Sequence, residues 1–166
     1  MSLEQTSLLI LIVPPILFLV IAVLIRPPWK IIGCALIAGL VVGGVNMLGD
    51  LVANAFGLWH FPFTEAAVAP PYLYLNSVLF YGAGIIGLLG WRIRRKWGWK
   101  GAIIFLLVFP FFALARDASG SAIADPSGAL IIWGPGGAPY VADFFLWSLM
   151  ECAGFFTLFG LERMSK

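Results

Sequence analysis

The sequence predicts an all-α, polytopic membrane protein in which residues 1–166 form a single bundle of five transmembrane helices. Apolar residues make up 61% of the chain and charged residues only 11%, which excludes a soluble globule with a polar surface. Five apolar runs of about 18 to 21 residues can each cross about 30 Å of hydrocarbon. These runs use nearly the whole chain: 8–25, 31–48, 72–91, 97–115 and 141–161.

The first two runs have different features. Run 8–25 has no Lys or Arg before it, and "IAVLIRPPWK" has no small-residue cleavage site, so we expect a retained helix with a bend at Pro14 and Pro15. Run 31–48 reads "GCALIAGLVVGG" and places Ala35, Gly39 and Gly43 at four-residue spacing. Such a face lets a neighbouring helix, or a partner protein, approach closely.

The last three runs carry small residues, a proline and acids. Run 72–91 has a second small-residue face at Ala83 and Gly87. Its "GAGIIG" also matches a dinucleotide-binding fingerprint, but no strand precedes it, so we interpret the match as accidental. Run 97–115 contains Pro110. In run 141–161, the side chains of Asp143, Trp147 and Glu151 are one turn apart and share a helix face.

The basic residues predict the orientation. Nine of the ten Lys and Arg fall between runs one and two, between runs three and four or in the first turn of run four, or after run five. The positive-inside rule makes that side cytoplasmic, with the N-terminus and the connections 49–71 and 116–140 outside. We therefore expect a multi-pass protein of a bacterial-type cytoplasmic membrane. The basic segment "WRIRRKWGWK" is typical of an interfacial anchor, and we expect no nucleic-acid partner.

No metal or cofactor is expected. The chain has one histidine, and its two cysteines lie inside apolar runs, where neither a zinc site nor a disulfide is indicated. No Walker motif or nucleophile elbow is present.

The two outer connections resemble each other. Asp50 is followed by Trp59 and by Pro71-Tyr72, and Asp117 is followed by Trp133 and by Pro139-Tyr140, with nearly the same spacing from the aspartate to the Pro-Tyr pair. This pattern predicts two similar helical hairpins whose outer connections pack on each other as an ordered cap. The alternative is that interfacial loops simply collect Trp, Pro and Asp.

The stretch from Asp50 to Phe61 resembles a known family. Asp50, six residues, and then Gly57-Leu58-Trp59-x-Phe61 is similar to the D-x6-G-I/L-W-x-F pattern of integral-membrane lycopene cyclase domains and related carotenoid hydratase-like membrane proteins. Those cyclases follow the pattern with Pro-Leu-Glu-Glu, where this chain has "PPYLYLNSVLFY" with Asn76 near the acidic position. The resemblance implies a small helical membrane fold that acts on polyisoprenoids.

Acid chemistry on an isoprenoid needs a carboxylic acid in apolar surroundings and aromatic or carboxylate groups that stabilise a cation. We predict one pocket that opens toward the outer half of the membrane. Its predicted catalytic residues are Asp50, Asp117, Asp143 and Glu151, and its predicted substrate-binding residues are Trp59, His60, Asn76, Trp133 and Trp147. Arg116 is a competing partner, because a salt bridge to Asp117 or Asp50 would make that acid structural.

Two functions remain open from the sequence. The first is a membrane protein that binds a polyisoprenoid or terpenoid lipid and cyclises, isomerises or hydrates it in an intramembrane pocket. The second is a small accessory subunit or lipid-binding scaffold without catalysis, which binds a protein partner through its glycine-rich helix faces. Glu151 distinguishes poorly between them, because a deeply placed acid can also form a structural hydrogen bond between helices.

Overall fold

The computed structural model describes residues 3–62, 67–123 and 131–164. It is mostly helical, at 85%. The elements in chain order are α1 (Leu3–Ile25), α2 (Trp29–Ala55), β1 (Trp59–His60), a 3-10 turn (Pro71–Tyr74), a π-helix (Asn76–Leu89), α3 (Gly90–Ile123), β2 (Ile132–Trp133) and α4 (Ala138–Met164).

Within the described residues, three helical stretches are long and apolar enough to cross a membrane: Trp29–Ala55, Pro71–Ser119 and Ala138–Met164. Helix α1 adds a shorter apolar stretch, Leu11–Ile25, and continues through Pro14 and Pro15. Length and composition therefore support a membrane protein.

The long stretch Pro71–Ser119 folds back on itself at Gly98. This glycine has φ 63° and ψ −158°, a conformation that interrupts the helix and that a side chain would disfavour. Gly101 packs beside Ile93, with 3.3 Å between an added Cβ and the Ile93 Cγ2 atom. Further along, the rings of Tyr81 and Phe109 are 6.3 Å apart. The two arms therefore lie side by side as an antiparallel hairpin.

The core forms where α2 packs against the π-helix and α4. An added Cβ at Gly39 would overlap the backbone oxygen of Val78 and lie 2.9 Å from the Ala83 nitrogen, so only glycine allows this approach. On the next turns, Gly87 sits as closely against Ala35. The prediction that these small residues let helices approach closely is confirmed, and their partner is the chain itself.

The outer connections meet in a two-stranded antiparallel sheet. Trp59 pairs with Trp133, His60 pairs with Ile132, and the Gly134 N–H donates to the Leu58 carbonyl at 2.7 Å. The all-α prediction missed this short sheet, although the prediction that the two connections pack on each other is confirmed. Residues 63–66 and 124–130 of the predicted cap lie outside the described residues.

Candidate functional site

Asp50 ties the outer end of α2 to both neighbouring connections. Its Oδ1 accepts a hydrogen bond from the Trp59 indole N–H at 3.0 Å, and its Oδ2 accepts one from the Tyr74 hydroxyl at 2.7 Å. The same hydroxyl accepts from the Ala69 backbone N–H at 3.2 Å. We call Asp50, Trp59 and Tyr74 the Asp50 clamp. Asp50 is 6% exposed, so water does not replace these partners.

Asp117 forms a second clamp with Arg116 and Trp147. Arg116 is ion-paired to Asp117, with its Nε 2.8 Å from Oδ1, and the Trp147 indole N–H donates to Oδ2 at 2.8 Å. The guanidinium carbon also lies 4.4 Å from the Tyr81 ring centroid and 5.0 Å from that of Trp147. These three residues, the Asp117 clamp, supply the competing salt bridge anticipated from the sequence.

Asp143 lies close to both clamps. It interacts electrostatically with Asp117, Arg116 and Asp50, although it is only 6% exposed. Its Oδ2 has no hydrogen-bond partner among the residues that the structure describes. Asp143 is therefore a buried acid with an unused oxygen beside two acids whose oxygens are engaged.

Glu151 is two turns further along α4 and is completely buried, with 0% exposure. Neither Oε1 nor Oε2 has a hydrogen-bond partner within 3–62, 67–123 and 131–164. The interhelical hydrogen bond considered for this residue is therefore not formed there. A polar link of that kind joins Asn46 instead, whose Nδ2 donates to Ser77 Oγ at 2.7 Å.

The predicted binding residues are only partly brought together. Trp147 lies between Asp143 and Glu151 on the buried face of α4, and Trp59 is held by Asp50. Trp133 stacks on Tyr140 at 5.0 Å, and its indole nitrogen is without a partner among the described residues. His60 points the other way from buried Trp59 and is exposed, and Asn76 begins the π-helix, partly buried.

A large apolar groove lies elsewhere, between the two arms of the Gly98 hairpin. Its volume is about 720 Å³, within the range of small-molecule sites. The lining consists of Ile85, Leu89, Ile93, Trp97, Lys100, Gly101, Ile104, Phe105, Val108, Phe109 and Phe112. None of the nine predicted site residues lines this groove, so the prediction that they line one pocket does not hold for it.

One aromatic residue connects the groove to the acids. Phe109 lines the groove, and its ring is in edge contact with that of Trp147 at 6.0 Å. Phe105 stacks on Phe109 at 5.6 Å and continues the same wall. The spacing of Phe105, Phe109 and Phe112 along one helix face was the signal in the sequence for this wall.

Comparison of the chain with profiles of protein families, with curated proteins and with solved structures finds no match.

The geometry divides the four acids into two pairs. Asp50 and Asp117 are hydrogen-bond acceptors that hold tryptophan side chains and the outer ends of helices in place. Asp143 and Glu151 retain free oxygens in apolar surroundings, where an ionised carboxylate without a partner is costly. Among the described residues no group of three His, Cys, Asp or Glu could hold a metal ion. The chemistry available on α4 is therefore that of a buried carboxylic acid next to the Trp147 ring.

Proposed function

We propose that this protein binds a long apolar lipid of the polyisoprenoid class in the groove of the Gly98 hairpin. The observation that carries the proposal is Phe109, which lines the groove and touches Trp147, the residue between Asp143 and Glu151. A flexible hydrocarbon chain suits a groove lined by aliphatic and aromatic side chains. The segment from Asp50 to Phe61 resembles isoprenoid-processing membrane domains, and this resemblance supports the same ligand class.

We further propose acid chemistry on a part of this ligand that reaches past Phe109 to Asp143 and Glu151, since neither acid lines the groove itself. A protonated carboxyl would give its proton to a carbon–carbon double bond, forming a C–H bond and a carbocation. The rings of Phe105 and Phe109, which line the groove, would stabilise the cation. Loss of a proton to the carboxylate completes an isomerisation or cyclisation, and addition of water followed by loss of a proton completes a hydration.

The proposed topology is five spans, with the N-terminus outside and the C-terminus in the cytoplasm of a bacterial-type cytoplasmic membrane. The fold-back at Gly98 supports two spans within Pro71–Ser119, and the segregation of basic residues supports the orientation. Cysteine labelling tests it, with His60→Cys and Lys96→Cys in a background lacking both natural cysteines. Labelling of position 60 from the cytoplasmic side would refute the orientation.

Ligand binding is tested by mass spectrometry of lipids that co-purify with the gently extracted protein. Ile104→Trp fills the groove at a position that is 63% exposed, and Leu107→Trp is its control, 64% exposed on the same helix but outside the lining. We expect a retained polyisoprenoid in the parent and the control and its loss in Ile104→Trp. Equal lipid content in the two variants would refute the groove as the binding site.

Catalysis is tested separately with the amide variants Asp143→Asn and Glu151→Gln, alone and combined, assayed for isoprenoid turnover. The amides keep nearly the shape of the acids but cannot donate a carboxyl proton. A folded double variant with parental turnover would remove the catalytic part and leave lipid binding.

The second candidate is a scaffold without catalysis. The two clamps favour this candidate, because the oxygens of Asp50 and Asp117 bind protein side chains that fix the outer ends of helices and do not face a ligand. Its proposed protein partner would bind elsewhere than on Gly39, Gly87 or their neighbours, since those faces are filled within the chain.

A further inference from the structure

The groove has a single charged residue in its lining, Lys100. This lysine is exposed, and among the residues that the structure describes it forms no ion pair or hydrogen bond. It sits next to Gly101, also in the lining, on the arm of α3 that follows Gly98. A positive charge therefore stands at the basic end of an otherwise apolar groove.

Most of its basic neighbours are already engaged within the chain. Arg94 pairs with Glu162 at 3.7 Å and stacks on the Phe159 ring at 4.2 Å. Arg95 lies over the ring of Trp91 at 5.0 Å, and Lys96 lies over the ring of Trp97 at 5.2 Å. These contacts place the three charges beside protein rings or a carboxylate. Lys100 has no such contact among the described residues, so its charge can pair with a ligand in the groove.

The length of the groove indicates the kind of chain that fills it. From Lys100 to Phe112 the helix rises about 18 Å at 1.5 Å per residue, whereas half of the hydrocarbon core is about 15 Å thick. A chain that starts at the basic end and fills the groove would pass the middle of the bilayer. A single, extended hydrocarbon chain fits this length, and its isoprenoid class follows from the proposed function.

We infer that the natural ligand is a polyisoprenyl phosphate, with its hydrocarbon chain in the groove and its phosphate paired with Lys100. This inference rests on the proposed function, and it adds an anionic end to the apolar ligand. The charge of Lys100 complements the phosphate at the interface, where a lysine attracts an anionic headgroup.

Binding to the full-length protein in lipid nanodiscs is the test. The probes are geranylgeranyl phosphate, geranylgeraniol, which lacks the phosphate, phosphatidylglycerol and inorganic phosphate. Lys100→Gln removes the charge, and Arg92→Gln is its control, because Arg92 is exposed in the same basic segment but does not line the groove. The pair Ile104→Trp and Leu107→Trp tests the groove itself.

We expect geranylgeranyl phosphate to bind more tightly than geranylgeraniol, and Lys100→Gln to weaken only the phosphate probe, by about fivefold. Arg92→Gln should change its affinity less than twofold, and Ile104→Trp should abolish binding of both isoprenoid probes. Equal affinity for the two isoprenoids, or equal effects of the two charge variants, would overturn the inference and leave the proposed function intact. Tighter binding of phosphatidylglycerol, or binding of inorganic phosphate alone, would also overturn it. Isoprenoid binding that survives Ile104→Trp would overturn the proposed function itself.

Discussion

Replacing Tyr74 by phenylalanine tests whether the Asp50 clamp is structural. The hydroxyl donates to Asp50 Oδ2 at 2.7 Å and accepts from the Ala69 N–H at 3.2 Å, and Tyr74 is only 8% exposed. A hydrogen bond to a charged group contributes about 1.5–3 kcal/mol, and a buried N–H left without a partner adds about 1 kcal/mol or more. We therefore expect Tyr74→Phe to lower the free energy of unfolding by about 2–4 kcal/mol.

The control is Tyr140→Phe. Tyr140 is 38% exposed, and within the described part of the chain its hydroxyl has no hydrogen-bond partner, so the change should stay within about 0.5 kcal/mol. Unfolding of the detergent-solubilised protein, titrated with denaturant and followed by tryptophan fluorescence, measures both variants. Equal stability of the two variants would refute the clamp.

A double-mutant cycle with Asp50→Asn assigns the effect to the pair. If Tyr74 acts through Asp50, the two changes together should cost clearly less than the sum of the single changes. The same variants separate structure from catalysis. A clamp at Asp50 predicts that Asp50→Asn lowers the folded fraction but not the turnover per folded molecule, whereas a catalytic acid predicts the reverse.

Two further predictions use matched pairs and the same unfolding assay. Trp59→Phe should lower the free energy of unfolding by about 1 kcal/mol or more beyond the effect of Trp133→Phe. The reason is that the Trp59 N–H donates to a carboxylate, whereas that of Trp133 has no partner among the described residues. Equal effects of the two changes would contradict this. Gly39→Ala should destabilise by about 1–3 kcal/mol, because its Cβ would overlap the Val78 backbone, whereas Gly44→Ala, with open space around it, should be neutral or stabilising. A Gly39→Ala variant as stable as Gly44→Ala would refute the close packing.

Local features of the sequence predicted the parts of the fold that depend on local geometry. Asp143, Trp147 and Glu151 share a buried face because the helical repeat places residues four apart on one side. The close approach at Gly39 and Ala83 follows from small residues at four-residue spacing. Such predictions need no knowledge of which helix is the neighbour.

Apart from the contact between the two outer connections, features that depend on the relative placement of distant segments were not predicted. The groove requires two arms to meet at a particular separation, which is set by the left-handed turn at Gly98 and not by the apolar character of either arm. The π-helix Asn76–Leu89 was missed because an apolar run with small residues predicts a helix but does not distinguish its hydrogen-bond spacing. The hydrogen bond from Trp147 to Asp117 was not predicted either, because it joins two helices that are distant in the sequence.

The difference between the four acids has a physical origin in their distance from polar partners. Asp50 and Asp117 sit at helix ends, where the connecting segments and their neighbours bring indole, hydroxyl and guanidinium donors within 3.0 Å. Glu151 lies in the middle of α4 and is fully buried, at a depth where helices use their backbone donors internally. Within the described part of the chain, the Glu151 carboxyl forms no hydrogen bond, and it carries a desolvation cost that a leucine would avoid. Packing gives no reason for this cost, whereas the proposed role of Glu151 as a proton donor would account for it.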